Sequence, residues 1–308
     1  MRIVIAEFMD APAVAQLARS FDVLYDPSLV DDAQRLVQEA SKAAALIVRN
    51  RTQVRGELLA ALRQCKVLGR LGVGLDNVDV PGCEAAGIQV IPATGANALS
   101  VAEYVICTSM MLLRGAYGST AQVAAGAWPR ARLGEGLESA GKTMGIVGFG
   151  SIGQMVARMA QGLGMKVQAF DALLGADAPI YATQQVKPLA LEALITESDV
   201  VSLHVPLTES TRDLFNARRI ASMKPGSVLI NTSRGHIVDL MALAAALRSG
   251  HLRGAAIDVF DAEPLPANEA LSNCPGLLLT PHISGVTTES NERVSGLIAE
   301  RVAAALHS

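Results

Sequence analysis

Short runs of apolar residues alternate along this chain with longer stretches in which apolar residues recur every three or four positions. That alternation marks strand–helix–strand units and parallel sheets. "RIVIAEF" (2–8), "FDVLY" (21–25), "ALIVRN" (45–50), "KVLGRL" (66–71) and "IQVIPA" (88–93) predict five strands, with helices such as 12–20 and 31–44 between them. From Leu99 onward, Val101, Ala102, Val105, Ile106, Met110 and Leu113 share a helical face, which predicts a buried helix long enough to link two domains. The Met110–Met111 pair is expected to pack in the core. A second series follows: "TMGIVG" (143–148), "MKVQAFD" (165–171), "DVVSLHV" (199–205), "GSVLINT" (226–232), "RGAAIDVF" (253–260) and "GLLLT" (276–280). Six strands with helices between them match a complete doubly wound sheet. The last segment, 286–307, predicts one helix with Val294, Leu297, Ile298, Val302 and Leu306 on a shared face. The expected class is therefore α/β, with two domains that each carry a parallel sheet flanked by helices.

Bulk composition narrows the possible partners. The chain has 308 residues, half of them hydrophobic and 18% charged, enough for two domains with cores of their own. A net charge of −3 provides no electrostatic footprint for nucleic acid, so none is expected as a partner. The opening "MRIVIAEFMD" lacks the basic start and long apolar run of an export signal, and a cytoplasmic location is expected. The most apolar helical stretch, 99–118, is interrupted by Glu103 and Arg114, so no membrane span is expected. The four cysteines form no CxxC pair and the five histidines no closely spaced pair, which predicts neither a disulfide framework nor a metal site.

Candidate chemistry begins at "GIVGFGSIG" (145–153). Gly148, Gly150 and Gly153 form GxGxxG after a strand and before a helical pattern. Glycine is needed there for a tight turn, for close backbone approach to a pyrophosphate, and for close packing of helix on strand. Asp171 closes the next strand, 18 positions after Gly153, where a carboxylate can accept both hydroxyls of an adenosine ribose. A 2′-phosphate would meet that negative charge, and Ala172 and Leu173 bring no arginine, so NAD is favoured over NADP.

A nicotinamide cofactor transfers a hydride, and oxidising an alcohol also releases a proton. The reaction needs a substrate anchor and a proton acceptor. Arg234 stands just past the apolar run "VLIN", at the strand end where open parallel sheets bind ligands. Its planar guanidinium can grip a carboxylate through two parallel hydrogen bonds. "AIDVFDAEPLP" then offers Asp258 at another strand end and Glu263 before Pro264, and "LLLTPHISG" offers His282. An imidazole can take a hydroxyl proton near neutral pH, and a carboxylate on its other nitrogen fixes the tautomer. Glu263 is the predicted partner. Singly each of these is an ordinary loop residue; together, at successive strand ends beside a cofactor loop, they predict a reaction site.

The blocks "GRLGVGLDNVDV", "NALSVAEY", "GKTMGIVGFGSIG", "HVPLTEST", "MKPGSVLINTSRG", "AIDVFDAEPLP" and "TPHISG" cover almost the whole chain. In this order they resemble the D-isomer-specific 2-hydroxyacid dehydrogenases, the family that includes phosphoglycerate dehydrogenase and hydroxypyruvate reductase. The resemblance implies a Rossmann-type NAD-binding domain (99–285) inserted into a flavodoxin-like substrate domain (1–98 and 286–308). It implies Arg234 as carboxylate anchor, His282 as proton donor and acceptor, Glu263 as the carboxylate that orients it, and Asp258 at the nicotinamide end. Cofactor contacts are further implied for Gly148, Gly150, Ser151, Ile152, Gly153, Asp171, His204, Pro206, Thr232, Ser233, Arg234, His282, Ser284 and Gly285. The backbone at Val73 and Gly74, with Arg234 and His282, is implied to meet the substrate. Family members are usually homodimers joined through the cofactor domain. The chain ends soon after its last helix, so the C-terminal regulatory domain of longer phosphoglycerate dehydrogenases is not expected. Leu240 stands where an acidic residue often follows the aspartate.

Arg49 and Arg51 follow the strand "ALIV", where a second anionic group could be held. That favours 3-phosphoglycerate or sulfolactate over lactate, with hydroxypyruvate and glyoxylate open. Two alternatives differ in kind: an NAD(H)-sensing binding module, and a phosphite or formate dehydrogenase on the same scaffold. Formate enzymes typically carry glutamine where this chain has Glu263.

Overall fold

The structure, a computed structural model, describes residues 1–307, and the chain divides into two compact units. One comprises Met1–Asn97 together with the chain from Val286 onward, the other Ala98–Gly285.

In the first unit, β1 (Arg2–Ile5), β2 (Asp22–Tyr25), β3 (Ala45–Val48), β4 (Val67–Arg70) and β5 (Gln89–Pro92) form a parallel sheet in the order β2-β1-β3-β4-β5. This is the flavodoxin-like order. Side chains alternate across the sheet: Ile3, Ile5, Ile47 and Val67 pack on one face, and Val4, Leu46, Val48 and Leu68 on the other. The last helix, Thr288–His307, lies on the first of these faces through Val294, Ile298, Val302 and Leu306. It fits closely because Gly69 on β4 has no side chain; a Cβ there would stand 2.9 Å from both Ile298 and Val302. The helix starts two residues later than the sequence pattern predicts, since Thr287 Oγ1 accepts the N–H of Ser290 and caps it.

In the second unit, β6 (Thr143–Val147), β7 (Lys166–Phe170), β8 (Lys187–Pro188), β9 (Val200–Leu203), β10 (Val228–Asn231), β11 (Gly254–Ile257) and β12 (Leu277–Leu279) form a parallel sheet. Their order, β12-β11-β10-β9-β6-β7-β8, is the Rossmann order with one further strand at the β12 edge. The inner strands β9, β10 and β11 are buried at every residue, as a sheet covered on both faces requires.

Three expectations need correction. The sheet has seven strands rather than six, because β8 is only two residues long and has no apolar run. The helix predicted over 31–44 is a 3-10 turn at Pro27–Asp31 followed by a helix at Ala33–Ala40, broken at Asp32, whose side chain caps the second piece by accepting from Arg35 N. The helix Ala98–Arg114 belongs to the second unit's core, as predicted for Val101, Ala102, Val105, Ile106 and Leu113, but Met110 turns outward and is 43% exposed. The buried stripe falls on 105, 106, 109, 112 and 113, which leaves position 110 on the opposite face.

Candidate active site

The glycine loop joins β6 to the helix Ser151–Gly162, and each glycine answers a different physical demand. Gly148 has φ +95°, and a Cβ there would stand 2.4 Å from the carbonyl oxygen of His204. Gly153 lets the helix settle onto the strand, since its Cβ would stand 2.2 Å from Gly148 O. Gly150 is unlike both: nothing lies within 4 Å of where its Cβ would be. It opens the twelve-residue helix, where backbone N–H groups and the helix dipole suit a pyrophosphate and a side chain would stand in the open space beside them.

Asp171 borders the same loop. Its Oδ2 accepts the N–H of Phe149 at 2.7 Å and its Oδ1 that of Leu173 at 2.8 Å, which fixes the carboxylate beside the glycine turn with lone pairs to spare. Ser151 and Ile152 start the helix. Two buried polar atoms nearby in the sheet order lack partners, His204 Nδ1 after β9 and Thr232 Oγ1 after β10. Burial pushes the His204 imidazole down to about 3, so it is neutral near pH 7; the residue is only partly covered, but Nδ1 itself is buried and Nε2 meets Ser202 Oγ at 2.9 Å. Pro206 is exposed just beyond it. A cleared cradle, a fixed carboxylate at the end of β7 and orphaned polar groups past β9 and β10 together fit a dinucleotide.

The proposed chemical groups come from the next three loops. Asn231, Ile257 and Leu279 are in register across β10, β11 and β12, so these strands end level. Arg234, Glu263 and His282 leave from those ends. The Arg234 loop is shaped by Asn231, which is buried: its Oδ1 accepts from Ser233 N at 3.0 Å and Ser233 Oγ at 2.7 Å, and its Nδ2 donates to Arg234 O at 2.8 Å. Thr232 and Ser233 are buried in that turn, and Arg234 Nη1 donates to Ser233 O.

Asp258 is wholly buried. Its Oδ1 accepts from Thr280 Oγ1 at 2.5 Å and Ile283 N at 2.9 Å, and its Oδ2 from Ser284 N at 2.8 Å. The Thr280 hydroxyl has one proton, which goes to Asp258, so it is Tyr104 that donates to Thr280 Oγ1 across 2.7 Å. Burial raises the Tyr104 phenol, which keeps it a donor. Both oxygens of Asp258 thus hold the 280–284 loop, which carries His282 and Ser284.

His282 sits at φ +56°, uncommon for a residue with a side chain, with its N–H donating to Asp258 O at 2.9 Å. This conformation turns the ring towards Glu263: Nδ1 is 2.7 Å from Glu263 Oε2, while Glu263 Oε1 accepts from Phe260 N at 3.0 Å. The Glu263 carboxylate thus fixes the ring through Nδ1.

In the first unit, Val73 and Gly74 lie in the loop after β4. The loop after β3 is tied to Glu7, a buried carboxylate that accepts from Arg49 N at 2.8 Å, Thr52 N at 3.0 Å and Arg51 N at 3.1 Å. Arg49 is half-buried, with Nη2 on Asn291 Oδ1 at 2.8 Å and its guanidinium 5.7 Å from the Phe8 ring centre. Burial lowers its pKa and the Glu7 charge works the other way, so it remains a cation. Arg51 is exposed and paired with Asp31.

Sequence comparison places this arrangement. A model of the "D-isomer specific 2-hydroxyacid dehydrogenase, NAD binding domain" matches residues 106–284. The chain belongs to the D-isomer-specific 2-hydroxyacid dehydrogenase family. This dehydrogenase is similar to the (S)-sulfolactate dehydrogenase of Chromohalobacter salexigens, with 53% identity over 99% of this chain and 98% of that one. It is 38% identical to the hydroxypyruvate reductase of Thermotoga maritima over 88% of this chain and 87% of that one. A crystal structure from Thermus thermophilus superposes with a TM-score of 0.89 at 33% identity, covering 100% of this chain and 97% of that one. The dehydrogenase therefore transfers hydride between NAD(H) and a small 2-hydroxy acid, as its sequence implies, and the sensing-module and phosphite or formate alternatives are not favoured. Sequence reasoning passed over Asn231, although a strand-end asparagine two residues before a serine is a known turn-former.

Proposed function

We propose that this dehydrogenase interconverts a 2-hydroxy acid bearing a second anion with its 2-oxo acid, and that sulfolactate is its substrate. The observation that carries this reading is the 53% identity, spread over nearly the full length of both chains, to a sulfolactate dehydrogenase. Configuration agrees: sulfur makes the sulfomethyl group outrank the carboxyl in naming, so D-sulfolactate is the S isomer. Arg49 supports it further, as a guanidinium held by Asn291 and Phe8 at the C-terminal end of a parallel strand, where such sheets bind ligands.

In this reading Arg234 grips the 2-hydroxy acid's carboxylate. His282 Nε2 takes the hydroxyl proton as the C2 hydride leaves, and returns it in the reverse direction. Glu263, 2.7 Å from Nδ1, keeps that nitrogen protonated and the ring aimed, and steadies the imidazolium that forms. Bound NAD supplies the hydride acceptor. The remaining cofactor contacts are those implied by the sequence, Gly148 to Gly153, Asp171, His204, Pro206, Thr232, Ser233, Asp258, Ser284 and Gly285.

We also propose a homodimer through the second unit. Exposed apolar side chains on that unit support this reading: Leu99, Met110, Tyr117, Val123 and Trp128, the last 77% exposed.

A panel of sulfopyruvate, 3-phosphohydroxypyruvate, hydroxypyruvate and glyoxylate with NADH tests the substrate reading, with wild type and Arg49→Ala compared. Highest kcat/KM on sulfopyruvate, and a loss in Arg49→Ala confined to the two substrates with a second anionic group, is expected. Equal loss on glyoxylate would remove Arg49 from specificity, and preference for a monoanion would refute sulfolactate.

A further inference from the structure

Between the Arg234 loop and the Glu263 loop lies a pair of residues that the mechanism above does not use. His236, two positions after Arg234, has φ +53°. In that conformation its backbone N–H donates to Asp261 Oδ1, and its ring Nδ1 comes within 3.4 Å of the same oxygen. Its carbonyl accepts from Asp213 N at 2.7 Å, in the segment that follows the β9 loop. Asp261 in turn stands two positions before Glu263. Gly235 makes the approach possible, because a Cβ there would stand 2.2 Å from Phe260 O and 2.6 Å from Asp261 N. Phe260 N is the group that holds Glu263 Oε1.

We infer that Asp261 is a positioning residue for the dehydrogenase reaction: through the His236 backbone N–H it fastens the loop carrying the carboxylate anchor Arg234 to the loop carrying Glu263, and so sets the distance between the anchored substrate and His282. The inference rests on the roles proposed for Arg234 and Glu263. Three loops from adjacent strand ends meet at His236, and each of the other two ties to it through one hydrogen bond. Catalysis needs the substrate carboxylate, the reacting carbon and the imidazole fixed together, and a displacement of about 1 Å costs roughly a hundredfold in rate. The carboxylate's charge is not what the geometry asks for; an oxygen acceptor at that place is.

Asp261→Ala, Asp261→Ser, Asp261→Asn and Arg234→Ala are compared with wild type for kcat and KM on the preferred 2-oxo acid and for NADH affinity by fluorescence. Asp261→Ala and Asp261→Ser should lower kcat/KM roughly 10- to 100-fold, partly through a raised KM, with NADH affinity unchanged. Asp261→Asn keeps an oxygen acceptor and should stay near wild type. Should the alanine variant melt at ordinary temperature, the serine variant decides. Wild-type kinetics in Asp261→Ala, or in Asp261→Ser, whose hydroxyl oxygen stands one bond short of the place of Oδ1, overturns the inference, as does a loss in Asp261→Asn as large as in Asp261→Ala. Retained activity in Arg234→Ala instead overturns the reading of Arg234 on which it rests.

Discussion

Asp258 Oδ2 accepts the backbone N–H of Ser284 at 2.8 Å, and its other oxygen serves Thr280 and Ile283. One buried carboxylate thereby orders the turn from which His282 projects. Asp258→Ala leaves two backbone N–H groups and a hydroxyl without this partner, and should cost roughly 2–5 kcal/mol of stability. Chemical denaturation measures it, and the same variant should lose turnover because the His282 turn is no longer held. Asp258→Asn, which keeps one oxygen, should lose less of both.

The glycine loop separates packing from binding. Gly150→Ala meets open space, at a φ of −75° that any residue adopts, so its melting temperature should match wild type while NADH affinity falls about tenfold or more. Gly153→Ala runs into Gly148 O and should lower the melting temperature itself. Calorimetry and NADH fluorescence titration on the two variants check the contrast. Equal affinities in Gly150→Ala and wild type would show that the cleared space is not the pyrophosphate cradle.

His204 makes a prediction about acid. Its folded-state value of about 3 lies below the ordinary 6.5, so the native protein favours the neutral ring. Above pH 6.5 neither state is protonated and the group contributes no slope. Below it, the unfolded chain binds a proton that the native one refuses, and stability falls by about 1.4 kcal/mol per pH unit until near pH 3. His204→Gln should remove that one-proton component from the pH dependence of denaturant midpoints between pH 6 and 4. An unchanged slope would contradict it.

Much of this site is legible in the sequence because the demand is local. Three glycines at fixed spacing, an aspartate at the next strand end and apolar runs buried on both faces follow from backbone geometry within a few residues. The strand ends that carry Arg234, Glu263 and His282 can be counted for the same reason. What escapes are partners distant in sequence. Nothing near Arg51 announces Asp31, twenty positions earlier, and nothing near Arg49 announces Asn291. The fastening of His236 to Asp261 escapes too, since it depends on a left-handed backbone at a histidine rather than at a glycine. Met110 misleads for a different reason. Apolar residues on both sides of a helix hide its phase, and only the packing against the sheet and helix Ser151–Gly162 fixes which side is inside.

The central claim is that the imidazole of His282, steered by Glu263, moves the proton while the glycine loop holds the cofactor elsewhere in the unit. Single-turnover reduction of the preferred 2-oxo acid by NADH, in wild type and His282→Ala, with NADH affinity measured on the same samples, tests it most directly. The account predicts that the variant binds NADH as wild type does and loses at least about a hundredfold in the hydride-transfer rate. A variant that turns over at the wild-type rate with its NADH affinity intact would contradict it.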